Sequence, residues 1–177
     1  MKILTARCIA ILAFVLLPGL LLAQTIPSFS GETLNKKTIT IPAETNGKYT
    51  FLCFAGSMKA QKELETWLNA VYNRFIAKTG MMDQFYDVNV FFIPVFKGKN
   101  AAMRETVRKK FDETAQDDIR GNVLFCKSDL AEVTSALNLP DNTPSFFLLD
   151  KQGKIIYRTT GAYTEKKFDE IDEKIEM

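Results

Sequence analysis

The chain has 177 residues with 23 basic side chains, 21 acidic side chains and no histidine, so its formal net charge is +2. Lys2 and Arg7 account for the surplus, and without them the 21 acids face 21 bases. A balanced chain argues against a nucleic-acid partner, because phosphate binding requires surplus positive charge. The absence of histidine excludes Ser-His-Asp and Cys-His catalysis and metal sites that use imidazole.

The first 23 residues have the pattern of an export signal. Lys2 and Arg7 precede an apolar run from Cys8 to Ala23, and Gln24 follows it. The run is shorter than the roughly 20 residues that a membrane-spanning helix needs. We therefore expect residues 1–23 to be a signal peptide and residues 24–177 to form one exported, periplasmic or envelope-associated domain. The alternative is that the segment is retained as an uncleaved anchor.

The rest of the chain alternates strand and helix patterns. Apolar and aromatic runs predict extended segments at 38–41, 49–55, 88–96, 122–126, 145–149 and 154–158. The clearest helix follows Ser57, which is placed to cap it, and its apolar side chains recur every three or four positions. We expect this helix to end at Gly80.

Three further helices complete the pattern. Met103, Val107 and Phe111 lie four residues apart and predict a helix over 101–117 with a narrow apolar stripe. Ser128 and Thr164 are each placed to cap a later helix. The alternation of strands and helices predicts parallel crossovers, while a tight turn at 150–153 adds an antiparallel hairpin. The expected fold class is α/β, with helices on both faces of a mixed sheet.

Two cysteines remain after the predicted signal, Cys53 and Cys126. Each lies within an apolar run that predicts a buried strand, where a thiol behaves as a small hydrophobic group with a raised pKa. We expect two buried free thiols. A disulfide is the alternative, and it would require α-carbons within about 7 Å of each other.

Several segments, taken in order, resemble the thioredoxin-like superfamily, in the form shared by exported thiol-disulfide oxidoreductases and peroxiredoxins. The most specific runs from Thr143 to Asp150 and on to Gly153, and is similar to the family's Thr-Pro-Thr-x-x-x-x-Asp-x-x-Gly-x-Ile signature. The others are the Pro-x-Phe motif at 27–29, the run 47–57, and Gly161 before the last helix. The resemblance implies a thioredoxin-like three-layer sandwich with a mixed central sheet, helices on both faces, and a C-terminal β-hairpin followed by a helix.

The sulfur chemistry of that family is missing from its expected place. The oxidoreductases carry Cys-x-x-Cys at a helix start, where the helix N-terminus lowers the pKa of the attacking thiol. Here the stretch 58–62 reads Met-Lys-Ala-Gln-Lys, and a peroxidatic cysteine motif is absent too. Because dithiol exchange needs a thiolate and a resolving partner, we predict a redox-inactive protein. The alternative is a thiol-disulfide oxidoreductase or peroxiredoxin-like enzyme that uses Cys53 or Cys126.

The resemblance also implies a binding groove. In the family, the proline at the place of Pro144 is cis and brings the preceding backbone beside the active-site turn. If the Thr143-Pro144 bond is cis here, it forms a groove with Ser57, Met58 and Lys59 that can take an extended peptide by strand addition. We therefore predict a protein- or peptide-binding or assembly module that has an envelope protein or peptide as its partner. The alternative is that Pro144 serves the fold alone.

The remaining expectations concern other ligands. We expect no cofactor, no metal ion and no nucleic acid. Membrane contact is expected only through an uncleaved first segment.

Overall fold

The structure, a computed structural model, describes residues 25–126 and 130–175, with the backbone alone at Lys99. The predicted export signal and the proposed helix cap at Ser128 lie outside the described residues. Within these two ranges, every helix is too short or too polar to span a bilayer.

A four-stranded mixed sheet and a three-stranded antiparallel sheet beside it form the centre of the described chain. The strands are β1 (Phe29–Thr33), β2 (Thr38–Ile41), β3 (Tyr49–Ala55), β4 (Val88–Pro94), β5 (Leu124–Cys126), β6 (Ser145–Leu149) and β7 (Ile155–Thr160). β3 runs parallel to β4 and antiparallel to β6, which forms a hairpin with β7. β1 pairs antiparallel with β2 and β5, and a bridge from Phe92 to Val123 brings β5 beside β4. The predicted mixed sheet with a terminal hairpin is confirmed.

The helices are α1 (Met58–Val71), α2 (Arg104–Thr114), α3 (Ala131–Ala136) and α4 (Glu165–Asp172). Two predicted caps are confirmed. The Ser57 hydroxyl accepts a hydrogen bond from the Ala60 amide at 3.2 Å, and the Thr164 hydroxyl accepts one from the Lys167 amide at 3.3 Å. Each bond satisfies one of the amides that a helix start leaves without a partner in the helix.

The predicted end of the first helix at Gly80 is wrong. After Val71 the chain continues as a π-helical turn, Tyr72–Ile76, and Lys78 then adopts a left-handed backbone with φ of 52°. The Gly80 amide instead donates to the carboxylate of Asp83 at 2.7 Å. That carboxylate also pairs with Arg74 at 3.4 Å, so a side chain beyond the helix organises the loop in place of a glycine cap.

Helices cover both faces of the sheet. α1 and α4 pack over the face that carries Phe51 and Phe146, and the ring centroids of Trp67 and Phe146 lie 4.3 Å apart. α3 and the segment from Ile26 cover the opposite face, which includes Phe54. Each of these fully buried large side chains stabilises the fold by roughly 1.5–3 kcal/mol. The expected three-layer arrangement is confirmed.

α2 packs more loosely than the other helices. Its Phe111 ring meets the ring of Phe125 edge-on, with 5.8 Å between the centroids, at the end of the sheet that carries β5. Among the described side chains of α2, none is fully buried. The narrow stripe predicted for this helix therefore anchors one side of it and leaves the side toward α1 without a tight contact.

Candidate functional site

The start of α1 is the place where the resemblance predicts the active site. β3 ends at Ala55, and Gly56 and Ser57 turn the chain into the helix. Ser57 can cap α1 because its backbone is extended, with φ of −153°. Met58, in the first turn, has 66% of its surface exposed, and Lys59 is exposed beside it. The first turn thus presents a thioether and an amine to solvent where the family has thiols.

The two cysteines lie deep in the sheet. Cys53, in the middle of β3, is fully buried between Phe92 and Phe146 on the neighbouring strands. Burial raises the pKa of the Cys53 thiol well above its ordinary value. Burial also raises the pKa of Cys126 to about 12, although the positive charge of Arg104 opposes the shift. Both thiols are therefore protonated near neutral pH, and a protonated thiol is a poor nucleophile.

The cysteines also face different layers of the protein. Cys53 packs in the core under α1 and α4, whereas Cys126 packs in the core under α3. The sheet separates them, and both are free. The expectation of two buried free thiols is confirmed, and the disulfide alternative is excluded.

The Thr143-Pro144 segment differs from the conditional expectation of a cis proline. The bond is trans, and the cis peptide bond within the described residues precedes Pro42 instead. A trans bond is favoured by about 0.5–1 kcal/mol at an ordinary X-Pro step, and here it leads directly into β6, where Ser145 pairs with Phe54. The carbonyl of the buried Pro144 accepts a hydrogen bond from the Gly161 amide at 3.0 Å.

Two contacts describe the surroundings of the residues predicted for the groove, which are Ser57, Met58, Lys59, Thr143 and Pro144. Asp141 lies against Gly56, where a Cβ atom would stand 3.4 Å from the Asp141 carbonyl oxygen. A cavity of about 10 Å³ lies beside Gly56 and is also lined by Pro140 and Ser145. Thr143 instead lies toward Gly161, 3.9 Å from the place of a Cβ on that glycine.

A larger apolar cleft opens on the other side of Gly56. This α1–α2 cleft has a volume of about 290 Å³ and lies between the two helices above the end of β4. Its walls include Leu64 and Leu68 of α1, Ile93 of β4, Phe96 after β4, and Val107 and Phe111 of α2. Ser57 and Met58 line it as well, whereas Lys59, Thr143 and Pro144 do not. Sequence reasoning identified two of its residues without identifying the cleft.

The signal for the cleft was present in the sequence. Met103, Val107 and Phe111 form a single apolar row, and all three line the cleft. One row can contact the sheet end or α1, but it cannot fill the space between them.

Metal ligands offer no alternative site in the described part of the chain. Residues 25–126 and 130–175 contain no group of three or more Cys, Asp or Glu side chains that could hold an ion.

No protein-family model and no curated protein sequence matches the chain, but solved structures resemble it. The thioredoxin domain of a thiol-disulfide oxidoreductase from Bacteroides vulgatus is 15% identical with a TM-score of 0.55, covering 87% of this chain and 97% of that chain. The exposed lipoprotein thioredoxin of Streptococcus pneumoniae is 15% identical with a TM-score of 0.57, over 83% and 99% respectively. StoA from Bacillus subtilis is 18% identical with a TM-score of 0.56, over 85% and 98%. At these identities the likeness concerns the fold alone, and it agrees with the resemblance in the sequence: the chain has the thioredoxin-like fold.

Proposed function

We propose that the protein is an exported thioredoxin-like module that does not exchange disulfides and instead binds a protein or peptide. The observation that carries this proposal is the first turn of α1. It presents Met58 and Lys59 to solvent, while Cys53 and Cys126 are both buried within the sheet.

The absence of an accessible thiolate within the described residues supports the proposal that the protein does not exchange disulfides. Exchange begins when a thiolate attacks a disulfide sulfur, so both access and ionisation are needed. Cys53 has neither, because it is fully enclosed and its pKa is raised by burial. Cys126 is 5% exposed and its pKa is about 12, so only a minute fraction is ionised at neutral pH.

The sequence of residues 1–23 supports export, because basic residues precede an apolar run too short to span a bilayer. One of the similar structures is described as an exposed lipoprotein, which agrees with that placement. A chain with balanced charge after the signal also suits a soluble envelope partner better than an anionic polymer.

The proposal that the protein binds a polypeptide rests on the apolar surface beside the start of α1. Met58 and Met103 line the α1–α2 cleft with 66% and 52% of their surfaces exposed. Exposed methionines are flexible and adapt to varied apolar partners. An apolar opening beside the helix start therefore gives the fold a binding surface without sulfur exchange.

The test is an insulin-reduction assay on the chain that begins at Gln24, with dithiothreitol as the electron donor. We expect turnover no faster than dithiothreitol alone, and the same result for the control variant C53A/C126A. Turnover that is abolished in C53A/C126A would overturn the proposal and support the enzyme alternative. A folded wild-type spectrum by near-UV circular dichroism establishes that inactivity is not caused by unfolding.

A further inference from the structure

We propose that the α1–α2 cleft binds a polypeptide segment in which large apolar side chains lie next to lysine or arginine. This inference rests on the proposed binding function and adds to it the place and the chemistry of the ligand. The residues that carry it are the apolar walls of the cleft, the exposed methionines Met58 and Met103, and the carboxylate of Glu65.

The cleft has the size and lining of a ligand site. Its volume of about 290 Å³ is close to the lower end of the range of about 300–1,000 Å³ that is usual for ligand pockets. Leu64 and Leu68 face Val107 and Phe111 across it, and Phe92 and Ile93 form its floor. Such pockets are mostly apolar and carry a few polar groups that orient the ligand.

The cleft is open because the fold does not supply enough apolar side chains to fill it. α1 buries Trp67 and Val71 against the sheet, so its face toward α2 carries Leu64 and the partly buried Leu68. α2 contributes one row of side chains and buries none of those described. An apolar side chain from outside can therefore occupy space that the protein leaves unfilled.

The two exposed methionines suit an entering side chain. Met58 begins α1 and Met103 lies just before α2, so they approach the cleft from its two walls. Methionine has three rotatable bonds and a polarisable sulfur, which lets it follow the contour of aliphatic or aromatic groups.

Charge narrows the chemistry of the ligand. Among the residues that line the cleft, all within the described ranges, Glu65 has the one ionisable side chain. It is exposed, and its carboxylate accepts a hydrogen bond from the Gln61 amide group at 3.2 Å, which holds it along the same wall. A carboxylate at an apolar opening attracts a cation and repels a fatty acid head group or an acidic peptide.

The experiment compares two labelled peptides by fluorescence anisotropy on the chain that begins at Gln24. One is Ser-Gly-Arg-Leu-Phe-Arg-Gly-Ser, and the other replaces both arginines with glutamate. We expect the arginine peptide to bind more tightly, and the difference to shrink as salt screens the exposed carboxylate.

Two variants with matched controls locate the site. E65K should weaken the arginine peptide about two- to fivefold, the range of an exposed ion pair, and should tighten the glutamate peptide. E113K makes the same charge change at an exposed position outside the cleft and should alter neither. M103Q should weaken both peptides about three- to tenfold by removing apolar contact, whereas T106Q, on the outer surface of α2, should leave both unchanged.

The outcomes separate this inference from the proposed function. Peptide binding that E65K and M103Q leave unchanged would overturn the cleft assignment while the protein remained a peptide binder. Equal affinity for the two peptides in wild type and E65K would overturn the charge preference. Tighter binding of a fluorescent fatty acid, unaffected by either peptide, would replace the polypeptide with a lipid ligand. Insulin reduction that depends on the cysteines would overturn the proposed function itself.

Discussion

The indole N–H of Trp67 donates a hydrogen bond to the carbonyl oxygen of Gly161 at 2.9 Å. Trp67 is fully buried in the middle of α1, and Gly161 follows β7 with φ of 82°. The Gly161 amide in turn donates to the Pro144 carbonyl at 3.0 Å. One residue thus joins α1, the end of β7 and the start of β6, and the carbonyl of Pro144 is used within the fold.

Removing the indole donor should destabilise the protein. We expect W67F to lower the free energy of unfolding by about 2–4 kcal/mol, because the Gly161 carbonyl loses its donor and a smaller ring leaves space in the core. Urea unfolding measures the change as a lower midpoint at an unchanged m-value. F85W, at a loop side chain with 62% of its surface exposed, is the control for an aromatic exchange and should stay within about 0.5 kcal/mol. Equal midpoints for W67F and wild type would contradict this account.

The left-handed backbone conformation of Gly161 leads to a separate prediction. At φ of 82° a side chain is strained whatever the space around it, and we expect G161A to cost about 1–2 kcal/mol. G121A is the matched control, because the nearest atom to its added Cβ is the Asn35 amide nitrogen at an ordinary 3.5 Å. Thermal unfolding of both variants checks the prediction. It fails if the two substitutions shift the midpoint equally.

Introducing two thiols at the start of α1 should give the protein thiol-disulfide exchange activity. M58C/Q61C places Cys-x-x-Cys in the first turn of α1, where the first thiol is exposed and the helix N-terminus lowers its pKa. We expect this variant to reduce insulin faster than wild type by at least about tenfold, since only a thiolate of lowered pKa attacks efficiently at neutral pH. A single M58C variant, without a resolving partner, should stop at a mixed disulfide.

An inactive M58C/Q61C protein that folds normally would show that the loss of function involves more than the two thiols. The closeness of Asp141 to Gly56 would then be the next feature to test, because that loop lies over the start of the helix. A G56A variant adds a Cβ against this contact and would report how tightly the loop is packed.

Local patterns in the sequence were enough to predict most of the fold. The caps at Ser57 and Thr164 and the hairpin before Lys154 depend on neighbouring residues, and all three are confirmed. β1 was not predicted as a strand. Its Gly31 disfavours a strand locally, but a Cβ there would come within 2.7 Å of Leu124 Cγ, so close pairing with β5 requires the glycine.

The candidate site was harder to predict because it depends on distant contacts. The expectation for Thr143 and Pro144 came from a motif, whereas the bond geometry and the contact with Gly161 depend on how β6 and β7 pair. The α1–α2 cleft forms because the apolar side chains of α2 do not fill the space between the two helices. The row from Met103 to Phe111 was visible in the sequence, but the space it leaves open is a property of two helices and a strand together.

The buried thiols predict how stability changes with pH. Burial holds the pKa of Cys126 at about 12 and that of Cys53 well above its ordinary value, whereas an unfolded cysteine ionises near about 8.5. Between those values the unfolded state releases protons that the folded state keeps, so the free energy of unfolding falls as pH rises. This contribution is fully present below about pH 8.5.

We expect the urea midpoint of the wild type to fall between about pH 8.5 and pH 10, and that of C53A/C126A to fall less over the same interval. The comparison with C53A/C126A isolates the thiols, because the raised pKa values of Tyr72, Tyr86 and Tyr157 contribute equally to the slopes of both proteins. The C53A/C126A variant has a lower starting stability, so the comparison uses the slope of the midpoint with pH rather than its value. Parallel slopes in the two proteins would mean that both thiols ionise in the folded state near their ordinary pKa, and the argument against a cysteine-dependent activity would then fail.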